Sequence, residues 1–384
     1  MSLFGFPMPG LDTLLSLPLL SFLVLPSAFS SFSWTSSLNL LFFTLTWATI
    51  VWSHDPINVE LFGTLATKMI FYVLPCLVFL LSDILLPSVA RSIKVHGQKA
   101  LPQQAVGART SSRLLSYLGV CLFNILLGTS LQTLIDYIFV HLLHMRSNLR
   151  IATALPMPLA LASGLARAYL VRGPLAYYIH KHLLHSPQNS ATLTRWHKQW
   201  SHSLKTTLPF SASYDHPLVY LLHRWLPVYL PAALFRMHML TYLIFVALIS
   251  LEEAFAWSGY SVLPSKVMLA GMARRTEAHL MSGGKGNYGP FGVMDWIHGS
   301  TLGGTDVMDD MQEEAQKRNV KGKAKGAANR ASEAAGDMLE DSGDDDDGDE
   351  RVSEGRASDQ NTNSPVAAVQ EKMSRALRSR KQTK

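Results

Sequence analysis

The strongest constraint on this chain is a series of apolar runs about 20 residues long. A helix needs ~20 mostly apolar residues, at ~1.5 Å each, to cross the ~30 Å hydrocarbon layer of a bilayer. Phe62–Pro87 meets that length, with Lys68 and Asp83 near its ends; Leu114–Leu143 does so with only Asp136 and His141 inside it. Trp34–Trp52 is uncharged and has tryptophan at both ends, the pattern of interfacial anchors. Leu11–Phe32 is interrupted by Pro18 and Pro26, and Ile151–Ile179 carries Arg167 and Arg172, expected at its cytosolic end. Pro217–Phe235 and Met239–Trp257 are separated by Arg236 and His238, and the first contains Arg224 and Pro217, Pro227 and Pro231. Together they read as a hairpin that dips into the membrane and returns. The spacing predicts an all-α fold, a polytopic membrane helical bundle.

Charge follows the same division. Residues 304–384 carry 18 of the 28 Asp and Glu and 14 of the 34 Lys and Arg, which leaves 10 acids and 20 bases in residues 1–303. Only about 10% of that body is charged, against roughly 25% in soluble domains. An ordinary soluble enzyme is excluded, and so is a nucleic-acid binder built on a basic patch. Cys76 and Cys121 both lie inside apolar runs, which excludes a disulfide scaffold and a cysteine zinc site. Three regions result: N-terminal membrane segments at 1–60, a membrane domain at 61–303, and a charged tail at 304–384. The tail alternates a basic stretch (Lys317–Arg330), an acidic one (Glu340–Glu350) and a second basic one (Lys372–Lys384). Its low hydrophobicity predicts disorder.

Basic loops set the orientation. Ser88–Ser112 holds Arg91, Lys94, Lys99 and Arg109 and no acid, so it is expected in the cytosol. Ser53–Gly63 holds Asp55 and Glu60 and no base, which fits the opposite face. The chain from His180 then begins on the cytosolic side. An even number of crossings in the hairpin keeps residues 180–215 and 274–303 on that same face.

Ten of the 14 histidines fall within residues 180–298. Neutral imidazole is the commonest metal ligand and suits Fe, Zn and Cu. The first cluster is His180-Lys-His182-Leu-Leu-His185; on a regular helix His180 and His185 lie ~140° apart, and convergence is expected from fraying near Pro187. The second cluster is His197 and His202, again five apart. His216 precedes Pro217, and His279 follows Arg274-Arg275. His223, His238 and His298 read first as ordinary interfacial polar residues.

These residues resemble the membrane-bound fatty acid hydroxylase and sterol desaturase superfamily. His180 to His185 looks like an HX4H box, and His197 and His202 match the outer members of an HX3HH box. Pro209-Phe210-Ser211-Ala212 with His216-Pro217 resembles the stretch that follows the second box. Ser258-Gly259-Tyr260 with Pro264 resembles a His-Ser-Gly-Tyr segment. The most specific likeness is Gly286-Asn287-Tyr288-Gly289, then Asp295-Trp296, then Gly299 and Thr301. The resemblance spans roughly Leu114–Thr301. It implies a four-helix membrane core capped by cytosolic histidine boxes, two iron ions that activate O2, and electrons from NAD(P)H through cytochrome b5 or a similar reductase chain. It also implies residence in the endoplasmic reticulum membrane.

Four positions depart from that pattern. Ser201, Thr276 and Leu280 stand where box histidines are expected, and Trp257 stands at the histidine of the His-Ser-Gly-Tyr segment. The expected metal ligands are therefore His180, His185, His197, His202, His216 and His279. His182, His238 and Glu277 are possible additions, as is a carboxylate oxygen of Asp215. Glu277 also reads as a surface charge beside Arg275. The ligand set leaves open two ions, one or none. Two functions follow: an O2-dependent lipid hydroxylase or desaturase, or a metal-free relative acting as a lipid-binding or scaffold membrane protein. No flavin or nicotinamide motif is present.

Overall fold

The computed structural model describes residues 34–106, 110–185, 191–317 and 319, and among them it is built of helices and turns without a strand. The expected segment Leu11–Phe32, Arg109, Pro187 and the tail beyond residue 319 lie outside the described residues. The first helix, α1 (Trp34–Ser53), follows the uncharged tryptophan-flanked run. It is followed by α2 (Pro56–Leu85) and α3 (Ser112–Leu142), both long and apolar enough to cross a membrane. Their outward faces present Phe62, Leu74, Val78, Leu115 and Phe123, all exposed. Such a face suits lipid rather than water.

The fourth helix, α4 (Pro158–Tyr178), starts later than the apolar run from Ile151. Residues ahead of a proline are pushed out of the helical region, and Met157 is extended, at φ −60° and ψ 147°. Arg172 lies near the end of α4 that leads into His180. It is buried and makes two hydrogen bonds, of 3.0 and 2.9 Å, to the carboxylate of Glu252. Arg167 instead sits over the Phe235 ring, at the turn of the hairpin.

The expected hairpin is present, and its second arm alone is long and apolar enough to cross a membrane. Its first arm runs from Pro217 through a π-type turn at Leu221–Trp225 into α6 (Leu226–Leu234), with the amphipathic α5 (Ala191–Trp200) preceding it. The second arm is α7 (Met239–Ala256), itself long and apolar enough to span. At the turn, Arg150 N donates to Met237 O and Met239 N donates to Arg150 O, each at 2.9 Å. His238 caps α7: its Nδ1 accepts from Leu240 N, and Nε2 lies 3.0 Å from Ala154 O. The turn thus meets the connection between α3 and α4, while both ends of the hairpin return to the end of α4 that carries His180. His216 and α8 (Ala270–Met281) consequently share one side of the bundle with the histidine boxes.

Two packed regions hold this arrangement. Trp47, Val59, Leu149, Ala168, Val228, Tyr242 and Phe245 fill the end near the hairpin turn. There Glu60, fully buried within α2 rather than solvated in a connector, accepts from Gln132 Nε2 at 2.7 Å. Gln132 Oε1 in turn accepts from the Tyr242 hydroxyl at 2.5 Å, which joins three helices around one buried polar group. At the other end Tyr72, Cys76, Tyr117, Cys121 and Ile125 pack under the loop 204–212. Tyr72 and Tyr117 donate to the carbonyls of Phe210 (3.0 Å) and Pro209 (2.7 Å), and Asn124 Nδ2 donates to those of Ser213 and Asp215. Buried backbone carbonyls need such partners, and these bonds fix the loop that carries Asp215.

Lys94, in the basic loop expected on the cytosolic face, is buried and paired with Asp83, whose other oxygen accepts from the Tyr260 hydroxyl at 2.7 Å. The charged tail was expected to lack structure from Gly304 onward. Instead, residues 307–317 are helical, with Val307 buried. The acids of this stretch find partners on the body: Asp310 pairs with Arg274 and Arg275, and Glu313 with Lys266.

Candidate metal centre

The first box owes its geometry to a local change of helical winding. At the end of α4 the chain continues as a π-type turn over Ile179–Leu184, and His185 N donates to His180 O at 3.1 Å. Such a turn closes five residues apart, so His180 and His185 come to one face. Their ring centres lie 4.9 Å apart. For the second box the device is a helix end: α5 stops at Trp200 and a short 3₁₀ turn, Ser201–Ser203, brings His202 back, 5.0 Å from the ring of His197. The third contribution, His279, sits in the last turn of α8.

One nitrogen from each of His180, His185, His197, His202 and His279 lies within 4.8 Å of all the others. Three of the rings are held by their outer nitrogen. Nδ1 of His180 lies 2.7 Å from Tyr288 O, Nδ1 of His279 lies 2.7 Å from Gly286 O, and Nδ1 of His197 lies 2.6 Å from Asp215 Oδ2. Carbonyl and carboxylate oxygens only accept, so Nδ1 carries the proton in each case and Nε2 keeps its lone pair. All three Nε2 atoms are buried without a hydrogen-bond partner. His202 Nε2 lies 3.2 Å from His185 Nε2, two like atoms facing each other.

Such a group could hold a metal ion, with the outer partners orienting the imidazoles. Bonds of ~2.1 Å to an ion place opposite nitrogens ~4.2 Å apart, so inward adjustment by a few tenths of an ångström brings all five onto one ion. The residues therefore fit a metal. Burial, then the neighbouring imidazoles, push the values of His180, His185 and His202 down, His202 to about 2. Burial also lowers His279, to about 4, against the opposing pull of the Gly286 carbonyl. All four are neutral at pH 7, the form that ligates.

The closing motif gains a physical role here. Asn287 adopts φ +54°, which asparagine tolerates better than most residues, and its Oδ1 accepts from Leu302 N at 3.1 Å. Asp295 accepts from the backbone N–H groups of Tyr288 and Gly289, both at 2.9 Å, and from the Ser300 hydroxyl at 2.8 Å. The turn so fixed presents the Gly286 and Tyr288 carbonyls to the two imidazoles. Gly284 lies against His185: a Cβ there would come within 2.1 Å of the ring.

Other expected ligands are elsewhere. His216 caps the hairpin, with Nδ1 accepting from Leu218 N and its ring stacked on Trp196 at 4.1 Å. His238 lies at the hairpin turn. His182 is exposed and stacked on Tyr178, because the π-type turn that aligns residues five apart directs the intervening one outward. Glu277 is no surface charge: fully buried, it accepts from the backbone N–H and hydroxyl of Thr207, with its second oxygen 3.9 Å from His96. Asp215 orients His197 and its Oδ1 accepts from His216 N. His223, read from the sequence as a bland interfacial residue, is buried with its ring 4.4 Å from that of His180. No box spacing marks it. His298 bonds Tyr178 and Met294 at the rim.

A cavity of about 330 Å³ adjoins the centre. It is lined by His180, His223 and His279 together with Tyr169, Leu170 and Phe291. Trp257 and Thr276, two of the four positions lacking an expected histidine, also line it.

Fold and site together define a helical membrane protein with a buried, metal-competent cluster of five histidines. Residues 165–300 match the model of the fatty acid hydroxylase family, which agrees with the resemblance carried by the boxes and the closing turn. That span runs from α4 through both boxes, the hairpin and α8 to the turn that holds His180 and His279. The family implies oxidoreductase chemistry of the lipid hydroxylase or desaturase class. No solved structure matches the chain.

Two outcomes test the site. Asp215→Asn should weaken metal affinity roughly 10- to 100-fold in a chelator competition, since the amide holds the His197 ring less well; unchanged affinity would remove Asp215 from that role. Stability of the chelator-treated protein should fall with acid. Unfolded imidazoles take up protons near about pH 6.5, whereas the buried ones resist. Stability is therefore full above that value and is lost as pH drops toward about 4, the value of His279. A melting temperature independent of pH between about 7.5 and about 5 would contradict buried neutral histidines.

Proposed function

We propose that this chain is a membrane lipid hydroxylase or desaturase working at a single iron ion held by His180, His185, His197, His202 and His279. The observation that carries the reading is the set of buried Nε2 atoms, oriented from behind and lacking any partner, beside a largely apolar cavity. A buried nitrogen without a partner costs about 1–3 kcal/mol. Three converging on one point are better explained by a ligated ion than by a scaffold that has lost its metal. When bound, iron would supply the O2 activation that no side chain provides. The chain's own groups keep the imidazoles neutral, hold their Nδ1 protons on Gly286, Tyr288 and Asp215, and exclude water from the centre.

One ion, rather than the two implied by the resemblance, follows from what replaces the missing ligands. Leucine and tryptophan cannot ligate iron, and serine and threonine do so poorly. In this reading electrons arrive from NAD(P)H through a cytochrome b5-type relay, and the centre faces the cytosol at the endoplasmic reticulum membrane.

The test compares lipid extracts of cells expressing the wild-type chain or His180→Ala/His279→Ala. A lipid gaining one oxygen, or losing two hydrogens, only with the wild-type chain is expected. Identical lipid profiles, with both proteins present in the membrane, would overturn the oxidase reading and leave the scaffold.

A further inference from the structure

We propose that the cavity beside the histidines receives an amphiphile with an anionic head, carboxylate or phosphate, and that Arg224 is the cation that binds it. The inference rests on the proposed lipid chemistry only for the ligand's apolar part.

The charged groups around the cavity do not balance. Arg172 is matched by Glu252 in a two-bonded pair, and Lys68 lies 3.8 Å from Glu253, which lines the same cavity. With both carboxylates ionised, those four groups cancel. Arg224 is left over. Among the described residues it makes neither a hydrogen bond nor an ion pair; its guanidinium lies 5.2 Å from the ring centre of Trp257, and both side chains line the cavity.

Stacking on an indole fixes the plane of a guanidinium while leaving its N–H edge free, and that fork fits a carboxylate or phosphate with two parallel bonds. Glu252 lies within electrostatic reach of Arg224 but is already bonded to Arg172, so a half-buried cation in excess remains, which is costly, and an anionic ligand reduces that cost. The position of Arg224 also bears on which part of the ligand meets the metal. It directly follows His223, whose ring is 4.4 Å from that of His180. The head is thereby held close to the centre, so the carbons offered to the histidines are those nearest the head. Exposed Leu170 and Val293, also in the cavity wall, mark where the rest of the chain leaves.

The test uses the full-length protein in lipid-free detergent, with radiolabelled oleate, 1-oleoyl-lysophosphatidate and oleyl alcohol as probes in equilibrium binding. At least one acidic probe should bind roughly 10-fold or more tightly than the alcohol. Their order tells carboxylate from phosphate. Arg224→Gln should bring the acidic probe down to the level of the alcohol, Arg224→Lys should keep part of the preference, and alcohol binding should not change. Metal per chain, measured in the same samples, should be the same in all three proteins. Equal binding of acids and alcohol to the wild-type chain, no binding of any probe, or a preference that survives Arg224→Gln would each overturn the anionic subsite. Protein that prefers the acids yet holds no metal would instead refute the iron reading and keep the subsite. If Arg224→Gln fails to fold, the wild-type comparison and Arg224→Lys still decide.

Discussion

His197→Ala should yield a folded protein that no longer retains a metal ion at the histidine cluster. This ring touches the site from two directions. Its Nδ1 is fixed by Asp215 at 2.6 Å, and its Nε2 is buried and unpartnered among rings at 5.0–5.3 Å. Loss of an outer partner alone costs about 10- to 100-fold in affinity; loss of the ligand itself should cost more, and a chelator of moderate strength should then strip the ion. The fold should survive because Asp215 remains anchored through its backbone carbonyl to Asn124, at 2.8 Å, and its Oδ1 still accepts from His216 N. The penalty is the unpaired Oδ2, about 1–3 kcal/mol. Metal analysis after chelation, together with a melting curve, separates the two effects. Iron retained at the wild-type level would remove His197 from the centre.

The second large effect concerns stability. Arg275 is fully buried on α8, one turn before His279. Its guanidinium donates to Asp310 at 2.6 Å and to the carbonyls of Val267 (3.0 Å), Thr305 (3.2 Å) and Pro290 (3.4 Å). Arg275→Ala opens a cavity, removes a donor from each of those carbonyls and leaves Asp310 with Arg274 as its ion-pair partner. Removing one member of a buried pair costs about 3–5 kcal/mol. For a body of this size that corresponds to a melting temperature lower by roughly 10 °C. The damage should reach the site, because Asn287 bonds Thr305 Oγ1 at 2.9 Å within the turn that presents the Gly286 carbonyl to His279. A variant that melts with the wild-type chain would show that the helix at 307–317 does not brace the site.

Apolar length made most of the bundle legible in the sequence. Trp34–Trp52, Phe62–Pro87 and Leu114–Leu143 each coincide with a helix to within a few residues. Five of the six principal histidines lie together in the structure, four of them in the two spaced pairs that the sequence shows. What escaped the sequence depends on long-range partners. The alignment of His180 with His185 comes from π-type winding, which local propensity does not reveal. Lys94 reads only as one base of a cytosolic loop until Asp83 and Tyr260 are placed beside it. Glu277 reads as a partner of its neighbour Arg275, yet it faces Thr207, 70 residues earlier in the chain. His223 shares no spacing with either box and reaches His180 only because the hairpin starts beside the first box. The stretch after Gly304 looks like tail by composition, but Asp310 is ordered by two arginines 35 and 36 residues upstream.

The most direct measurement is the iron content of the purified full-length protein after anaerobic reconstitution and removal of loosely held ion. One iron per chain, lost when His180 and His279 are both replaced, is the result expected of five imidazoles meeting at a point. A folded chain that retains no iron, or one that holds it equally well without those two side chains, would contradict the account.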